Sequence, residues 1–474
     1  MKQTHLESYI IFLLMLVSTT LLASNKGGGL IVYPGGKCYM FRVTLKNKNG
    51  TPYSLDKPER FLSKASILRR ERQGLKLDST DLPVSPDYIQ LIKKRGGKIV
   101  AVSKWNNSVL VRGDNRQTLE DLKALSFVKE SKLVFTSPDS IRPLSQRVRY
   151  NSELQSLDST IQDYYGMGKG QIESLNGRKL HNLGFMGQGM TIAVLDAGFM
   201  NVDKIPAFKN LNISGTHNFV AGYDNDVYKE MDHGTKTLST IAMNQPTVFV
   251  GTAPKANFWL LRTEDYLTES SAEEDFWIAA VEFSDSVGVD VISSSLGYHG
   301  FDDKTMNYRY SDLNGRTAAI SQAASRLASK GIILVNSAGN DGMGSWKKIN
   351  VPADAHDILT VGAVSLDKVN APFSSIGPSA DGRVKPDVMA FGCPTNVVSG
   401  RGYIIPDNGT SFACPLIAGM VACLWQAFPN KSAKEILELV RQSGSNRQYP
   451  DNIMGYGVPD FWSAYESATR YNQQ

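Results

Sequence analysis

The chain has 474 residues, of which 42% are hydrophobic, and a formal net charge of +5. This length predicts two or three folded units, and the apolar content excludes general disorder. The small charge excess gives no reason to expect nucleic acid or a membrane surface as a partner. The cysteines have neither metal-type spacing nor the pattern of a disulfide framework; they are Cys38, Cys393, Cys414 and Cys423.

Residues 1–24 have the pattern of an export signal. Lys2 and His5 precede an apolar core at residues 9–17, and small and apolar residues follow as far as Ser24. This pattern is typical of a secretory signal peptide, and the apolar stretch is short for the alternative, a membrane anchor. We therefore predict an exported protein, whether secreted, periplasmic or held at the cell surface. No stable membrane span is expected once the signal is removed.

Residues 25–135 are predicted to form a small, separate α+β domain. Strand patterns cover residues 38–45, 98–103, 108–112 and 127–135, and helical patterns cover residues 86–95 and 118–125. The order β-α-β-β-α-β indicates a split βαβ sandwich. The alternation of polar and apolar residues in the last strand is typical of a sheet edge.

Residues 136–165 have no apolar periodicity and are rich in Ser, Asp, Gln and Pro. Such a segment is predicted to be an exposed linker, where proteolytic cleavage concentrates. We therefore expect a cleavage site within this linker, without assigning it to a residue.

Over residues 166–474, apolar strand patterns alternate with helical ones. Strands are predicted at residues 191–195, 257–262, 289–296, 331–336 and 358–362, and helices at residues 273–286 and 316–330 and from residue 411 onward. Continuous apolar strands with helical crossovers predict an α/β fold, in which a mainly parallel, doubly wound sheet has helices on both faces. Ligands of such sheets bind at the carboxyl ends of the strands, where Asp196 lies.

The most informative motif is NGTSFACP at residues 408–415, which opens a helix without charged residues. Ser411 at the start of a buried helix lies near unpaired N–H groups and the positive end of the helix dipole. That position suits a nucleophile whose attack generates an oxyanion, although a serine here is more often only a helix cap. Pro415 is expected in the first turn of the helix, where its missing N–H costs little.

Two further blocks precede this motif, VLDAG at residues 194–198 and DHGT at residues 232–235. Taken together, and in the order Asp, His, Ser, the three blocks resemble the catalytic motifs of the subtilisin-like serine peptidases, the subtilase family. The resemblance covers about residues 166–463.

The resemblance implies a catalytic triad. Ser411 would be the nucleophile, and His233 would be the general base and then the general acid. Asp196 would orient His233 and stabilise its imidazolium form. The block NSAGNDG at residues 336–342 implies that Asn340 donates its side-chain amide to the oxyanion, together with the backbone N–H of Ser411.

The same resemblance implies a substrate-binding segment and a pocket. Ser295, Leu296 and Gly297 would pair with an extended peptide substrate as an added strand. Ala338 and Gly339 would line the pocket for the residue before the cleaved bond.

A zymogen is also implied, with residues 25–135 as a propeptide that assists folding and blocks the active site until it is cut off. The alternative is an ordinary accessory domain. The expected function is that of a secreted serine endopeptidase that hydrolyses peptide bonds through an acyl-enzyme. Its partners would be protein or peptide substrates and its own propeptide. No cofactor is predicted; structural calcium stays possible, although the sequence has no recognisable pattern of calcium ligands.

Two other classes of function compete with this interpretation. A catalytically silent member of the fold would bind peptides, but such proteins usually lack one catalytic group, and all four are present here. A nucleotide-binding α/β protein would need a glycine-rich loop after its first strand, whereas Gly187 and Gly189 precede that strand. Cys414 departs from the family pattern on the same helix face as Ser411, and it predicts sensitivity to thiol reagents.

Overall fold

The computed structural model describes residues 30–34, 36–141, 147–151, 154 and 163–471. The predicted signal peptide at residues 1–24 and parts of the predicted linker lie outside the described residues.

The described residues form an N-terminal domain with one sheet and a larger C-terminal domain around a second sheet. The strands are β1 Tyr39–Leu45, β2 Lys98–Ser103, β3 Ser108–Gly113, β4 Val128–Thr136, β5 Thr191–Asp196, β6 Asn212–Asn218, β7 Asn244–Gln245, β8 Phe249–Val250, β9 Asn257–Arg262, β10 Val291–Ser294, β11 Ile333–Ser337, β12 Leu359–Ser365, β13 Val388–Cys393, β14 Thr395–Val398 and β15 Ile404–Asp407. The α-helices are α1 Lys64–Arg72, α2 Pro86–Lys94, α3 Gln117–Lys123, α4 Lys169–Ser174, α5 Arg178–Asn182, α6 His233–Ala242, α7 Ala272–Val287, α8 Ala319–Ala324, α9 Thr410–Ala427, α10 Ala433–Gln442 and α11 Phe461–Tyr471.

The N-terminal domain has an antiparallel sheet in the order β2-β3-β1-β4. Alternate strand residues such as Phe41, Val43 and Val109 face Ile92 of α2 and Leu122 of α3 in one core. This architecture confirms the predicted α+β class, and it places β4 at a sheet edge as its alternation predicts.

Helix α1 was not predicted from the sequence, because its residues do not show the helical spacing of apolar side chains. Its sequence KASILRRER buries a polar face formed by Ser66, Arg69 and Arg70. Ser63 caps the helix by accepting the N–H of Ser66 at 3.1 Å. The buried face of α1 contacts charged groups of the C-terminal domain, so a search for hydrophobic spacing misses it.

The large sheet has seven strands in the order β13-β12-β11-β10-β5-β9-β6, and every pairing in it is parallel. This confirms the predicted doubly wound α/β fold. Two of its strands, β6 and β13, lie at the edges and were not predicted. The sequence of β6, NISGTHN, is mostly polar, so it lacks the apolar run that marks the inner strands.

The predicted helix at residues 316–330 is shorter in the structure. It consists of α8, which ends at Ala324, and a 3₁₀ turn at Leu327–Lys330. The Arg–Thr pair at residues 316–317 instead belongs to a loop in which the Asn314 side chain accepts both backbone N–H groups at 2.9 Å. Local side-chain hydrogen bonds of this kind compete with helix formation.

The two faces of the large sheet are covered by different helices. Ile192 and Val194 of β5 belong to a core that includes α6 and α9. Ala193 and Leu195 face the opposite way, into a core that includes α7 and α8. Helix α9 is the only helix in the described residues long and apolar enough to cross a membrane, and 89% of it is buried inside the protein. Its composition is therefore that of a central core helix.

Candidate active site

The carboxyl ends of the central strands bring the predicted catalytic residues together. Asp196 is the last residue of β5, and His233 is the first residue of α6. Ser411 lies in the first turn of α9, which packs against β10, β11 and β5. His233 and Ser411 line one cleft of about 620 Å³. Asp196 is fully buried behind His233.

The Asp196 carboxylate is held by three hydrogen bonds. His233 Nδ1 lies 2.7 Å from Asp196 Oδ1, and the Ala197 N–H donates to the same oxygen at 2.8 Å. Thr237 Oγ1 donates to Asp196 Oδ2 at 3.0 Å. Because Nδ1 is engaged by the carboxylate, Nε2 of His233 is the nitrogen left to exchange a proton in the cleft.

A glycine after His233 permits this close approach. A Cβ atom on Gly234 would lie 2.4 Å from the carbonyl oxygen of Gly198 and 2.9 Å from the Cβ of Asp196. The His block and the Asp block therefore touch through backbone atoms, and no larger residue fits at position 234.

Burial and charge act in opposite directions on the His233 imidazole. Burial lowers its pKa, but the hydrogen-bonded carboxylate of Asp196 raises it more, and the carboxylate of Glu264 adds to the rise. The net result is a pKa of about 9. The imidazolium is thus stabilised by a fixed negative charge, as a base that must accept a proton requires.

Pro415 lies one turn further along α9 than predicted, and its position has a consequence for Ser411. As the sixth residue of the helix, Pro415 has no N–H to donate to the carbonyl four residues earlier, which is that of Ser411. Ser295 Oγ donates to this carbonyl instead, at 2.8 Å. The hydrogen bond that Pro415 cannot make is thus replaced by one that links the turn carrying Ser411 to the segment after β10.

Asn340 is fixed against the same turn. Its Oδ1 accepts hydrogen bonds from the backbone N–H and the Oγ1 of Thr410, both at 2.9 Å. With the oxygen engaged, the amide nitrogen of Asn340 stays as a donor at the cleft, beside the first backbone N–H groups of α9. Gly339 before it has φ +107°, and a Cβ there would lie 2.9 Å from side-chain atoms of Asn350 and Ser375.

The cleft contains most of the residues predicted to bind substrate. Ser295, Leu296, Gly297 and Gly339 line it. Ala338 does not: it is fully buried, and Ser337 rather than Ala338 reaches the cleft beside Gly339.

Cys414 is fully buried where helix α9 packs against strands β10 and β11. Its thiol donates to the carbonyls of Ser294 and Val335 at 3.5 and 3.3 Å. Burial raises its pKa to about 12. Because the thiolate is the reactive form, the structure argues against the sensitivity to thiol reagents that the sequence predicts.

Two glutamates that line the cleft were not predicted. Glu264 lies two residues beyond the end of β9, and Glu269 follows in the same loop. The rule that ligands bind at the carboxyl ends of parallel strands could have found Glu264, since Asn257–Arg262 was recognised as a strand.

This arrangement of a buried carboxylate, an imidazole and a serine at a helix N-terminus is typical of serine-type peptidases. A model of the subtilase family matches residues 187–457, and a model of the peptidase S8 propeptide domain of Bacteroidota matches residues 40–165. The chain therefore belongs to the subtilase family. It is a serine-type endopeptidase preceded by a propeptide domain, and this confirms the predicted class of enzyme and of N-terminal domain.

Several curated proteins are similar to this chain over most of its length. It is 26% identical to subtilisin NAT of Bacillus subtilis subsp. natto over 77% of this chain and 82% of that protein. It is 29% identical to a subtilisin of Bacillus pumilus over 56% of this chain and 89% of the relative. It is 26% identical to membrane-bound transcription factor site-1 protease of Rattus norvegicus over 64% of this chain and 27% of that protein.

Proposed function

We propose that the chain is an exported zymogen that hydrolyses peptide bonds with Ser411, His233 and Asp196 as its catalytic triad. The observation that carries the proposal is the 2.7 Å contact between His233 and the buried Asp196, in the same cleft as Ser411. Export is supported by the signal-like pattern of residues 1–24.

The division of the chain is part of the same proposal. Residues 1–24 would be the signal peptide, residues 25–135 the propeptide, and residues 136–165 a linker that holds the maturation cut. Residues 166–474 would be the peptidase domain. The end of β4 at Thr136 and the end of the propeptide match at residue 165 support these boundaries.

In the proposed reaction, Ser411 Oγ attacks the carbonyl carbon of the scissile bond while His233 Nε2 takes its proton. Asp196 stays ionised and stabilises the imidazolium. The amide nitrogen of Asn340 and the backbone N–H of Ser411 would stabilise the oxyanion. His233 then gives the proton to the leaving amine, and water hydrolyses the acyl-enzyme by the same steps in reverse order.

Labelling with a fluorophosphonate probe tests the proposal. The matured wild-type protein is expected to be labelled, and the Ser411→Ala variant, freed of its propeptide by added wild-type enzyme that is then removed, is expected to stay unlabelled. Ser337→Ala, which removes another hydroxyl from the same cleft, is the matched control and should keep its label. A wild-type protein that has lost its propeptide and yet takes no label would instead be a catalytically silent peptide-binding member of the family.

Replacing Asn340 with alanine is expected to lower kcat about 100- to 1000-fold with little change in KM, because the lost donor acts on the oxyanion rather than on the bound substrate. Steady-state kinetics on a peptide substrate measure this. Asn350→Ala, a second amide on the cleft wall, serves as the control. An equal loss in both variants would mean that Asn340 only supports the loop.

The value of kcat/KM is expected to fall about tenfold for each pH unit below 9. The reason is that His233 can accept a proton only in its neutral form, and the pKa of its imidazole is about 9. A profile of kcat/KM against pH measures this limb. Asp196→Asn removes the charge that raises the pKa, so its limb should move to lower pH. A wild-type limb at or below the ordinary histidine value would contradict the assigned ion pair.

A further inference from the structure

Three glutamates form a cluster beside the active-site cleft. Carboxylate oxygens of Glu264, Glu269 and Glu273 all lie within 4.8 Å of one another. Glu264 and Glu269 line the cleft, and Glu273 is fully buried behind them at the start of α7. The cluster therefore has an open side toward bound substrate and a closed side in the protein.

Two polar atoms in this cluster lack a partner. Glu273 Oε1 accepts the backbone N–H of Ser270 at 2.9 Å, but its Oε2 is buried without a hydrogen bond. The hydroxyl of Tyr298, only 1% exposed, is also without one, and Tyr298 lies close enough to the cluster that, after burial, the charges of Glu273, Glu264 and Glu269 raise its pKa further. Buried polar atoms are normally paired. The neighbouring Glu274 also has one buried oxygen without a hydrogen bond, but that oxygen faces the Arg42 guanidinium at 3.8 Å.

The charges around the cluster leave it negative. Asp196 and Asp265 face Glu264, and Asp302 faces Glu269. Of the two cations near Glu264, His233 is paired with Asp196, and Arg262 is paired with Glu230 through Nη1 at 2.8 Å, while its Nε and Nη2 have no hydrogen bond.

This crowding changes the protonation of the glutamates. Burial first, and then repulsion between the carboxylates, raises the pKa of Glu264 to about 7 and that of Glu269 to about 8. The pKa of Glu273 is raised well above its usual range for the same reasons. A cation entering from the cleft would favour their ionised forms.

We propose that Glu264, Glu269, Glu273 and the Tyr298 hydroxyl form an acidic subsite that binds the cationic side chain of a substrate lysine or arginine. The inference rests on the proposed function of the cleft. A long side chain can reach from the cleft to the buried Glu273, and its N–H groups can donate to several carboxylate oxygens at once. These four side chains carry seven oxygens, within the 6–8 ligands that calcium takes, so calcium is the competing occupant and one outcome of the test below.

Sheet geometry gives the position of that residue in the substrate. The pocket for the residue before the cleaved bond is expected at the end of β11, whereas Glu264 follows β9. In the strand order β11-β10-β5-β9, the ends of β11 and β9 are three strand spacings apart, which is about 14 Å. An extended peptide covers this distance in about four residues. Fewer residues suffice when a long basic side chain spans part of the distance. The basic residue is therefore assigned to a position about two to four residues before the cleaved bond.

The course of the chain near the cleft supports placing the residues before the cleaved bond on the side of the glutamates. Ile141 pairs with Ile31 and packs in a cluster with Leu267, which lies in the Glu264–Glu269 loop. Further along the chain, Arg147 is bound to Asp203 at 3.0 Å in a different loop, the one after β5. Residues earlier in the chain thus lie on the acidic side, as residues before the cleaved bond of a substrate would.

Peptide substrates in matched pairs test the subsite. Each pair carries lysine or its uncharged analogue norleucine at the second, third or fourth position before the bond, and kcat/KM is measured at pH 9. One position should favour lysine about 10- to 100-fold, the usual contribution of hydrogen bonds to a charged group. This ratio should fall to about one in the Glu264→Gln/Glu269→Gln variant, and in the wild type it should shrink as the pH falls to 6 and the glutamates bind protons.

The controls separate the subsite from the active site. Asp341→Asn removes a carboxylate from the β11 side of the same cleft and should keep the lysine ratio. Fluorophosphonate labelling of each variant shows that Ser411 still reacts. Labelled wild-type enzyme with a ratio of about one at every position would overturn the subsite but leave the proposed function standing. Loss of labelling in the wild type would overturn both. Stabilisation by millimolar calcium that Glu264→Gln/Glu269→Gln abolishes, without a lysine preference, would also overturn the subsite, because the cluster would then be a metal site.

Discussion

Replacing His233 with alanine should lower kcat for peptide hydrolysis about a million-fold, the loss measured when a triad serine or histidine of subtilisin is removed. This loss is expected because, in the proposed mechanism, the imidazole takes the proton of Ser411 Oγ and returns it to the leaving amine. Asp196→Asn keeps a hydrogen bond to His233 but favours the wrong tautomer of its imidazole. This variant should lower kcat about 10⁴-fold. Because an inactive variant cannot process itself, its propeptide has to be removed by added wild-type enzyme, which is then removed before the assay.

His299→Ala is the matched control for this prediction. His299 lines the same cleft but stacks on Trp346 at a ring distance of 4.7 Å. It has no contact with Asp196, so its loss should lower kcat less than tenfold. A His233→Ala enzyme that keeps a tenth of the wild-type rate would refute the triad, whatever the control shows.

For the large parallel sheet, the sequence was a good guide to the inner strands and a poor one to the two edge strands. The run Asn257–Arg262 was predicted with the bounds that β9 has, because both its faces are buried and its pattern is continuous. The polar edge strand β6 carries no such pattern. Helix α1 was missed for a related reason: Arg69 and Arg70 on its buried face look like solvent-facing residues until the second domain is present.

The sequence likewise predicted some parts of the candidate site and missed others. Motifs predicted Asp196, His233, Ser411 and Asn340, because the expected chemistry requires those residue types in those blocks. The glutamate subsite was not predicted, since Glu264, Glu269 and Glu273 form no motif and meet only through the loop between β9 and α7. The role of Pro415 also follows only from the structure, because the carbonyl that the proline leaves free accepts a hydrogen bond from Ser295, which is distant in the sequence.

The interface between propeptide and peptidase is unusually charged. Helix α7 of the peptidase domain presents acids to bases of the propeptide. Asp275 accepts from Arg42 Nε at 2.8 Å, and Asp285 accepts from Arg69 Nη2 at 2.6 Å. Buried ion pairs lose much of their attraction to the cost of desolvation. If the linker is cut as we propose, both sides can be hydrated again, and such an interface would then favour release of the propeptide.

Asp285 is the centre of this interface. Its carboxylate lies 2.6 Å from Arg69, 2.8 Å from Arg70 and 2.9 Å from Lys104, and it is fully buried. Burial alone would raise its pKa, but the three cations hold the pKa well below its usual range. Asp285→Ala leaves these buried cations without a counter-charge, which should lower the free energy of unfolding of the full-length chain by about 3–5 kcal/mol. Urea unfolding in a Ser411→Ala background, where the linker stays uncut, measures this.

Two further variants decide whether that loss comes from the propeptide interface. Asp139→Ala breaks the exposed pair between Asp139 and Lys37, and it should leave the urea midpoint nearly unchanged, because water and salt screen such a pair. Asp285→Ala combined with Arg69→Met removes a cation together with its partner, so it should recover part of the lost stability. A double variant no more stable than Asp285→Ala alone would mean that Asp285 stabilises α7 itself, and that the propeptide is held mainly by the apolar cluster around Met40, Phe135 and Phe276.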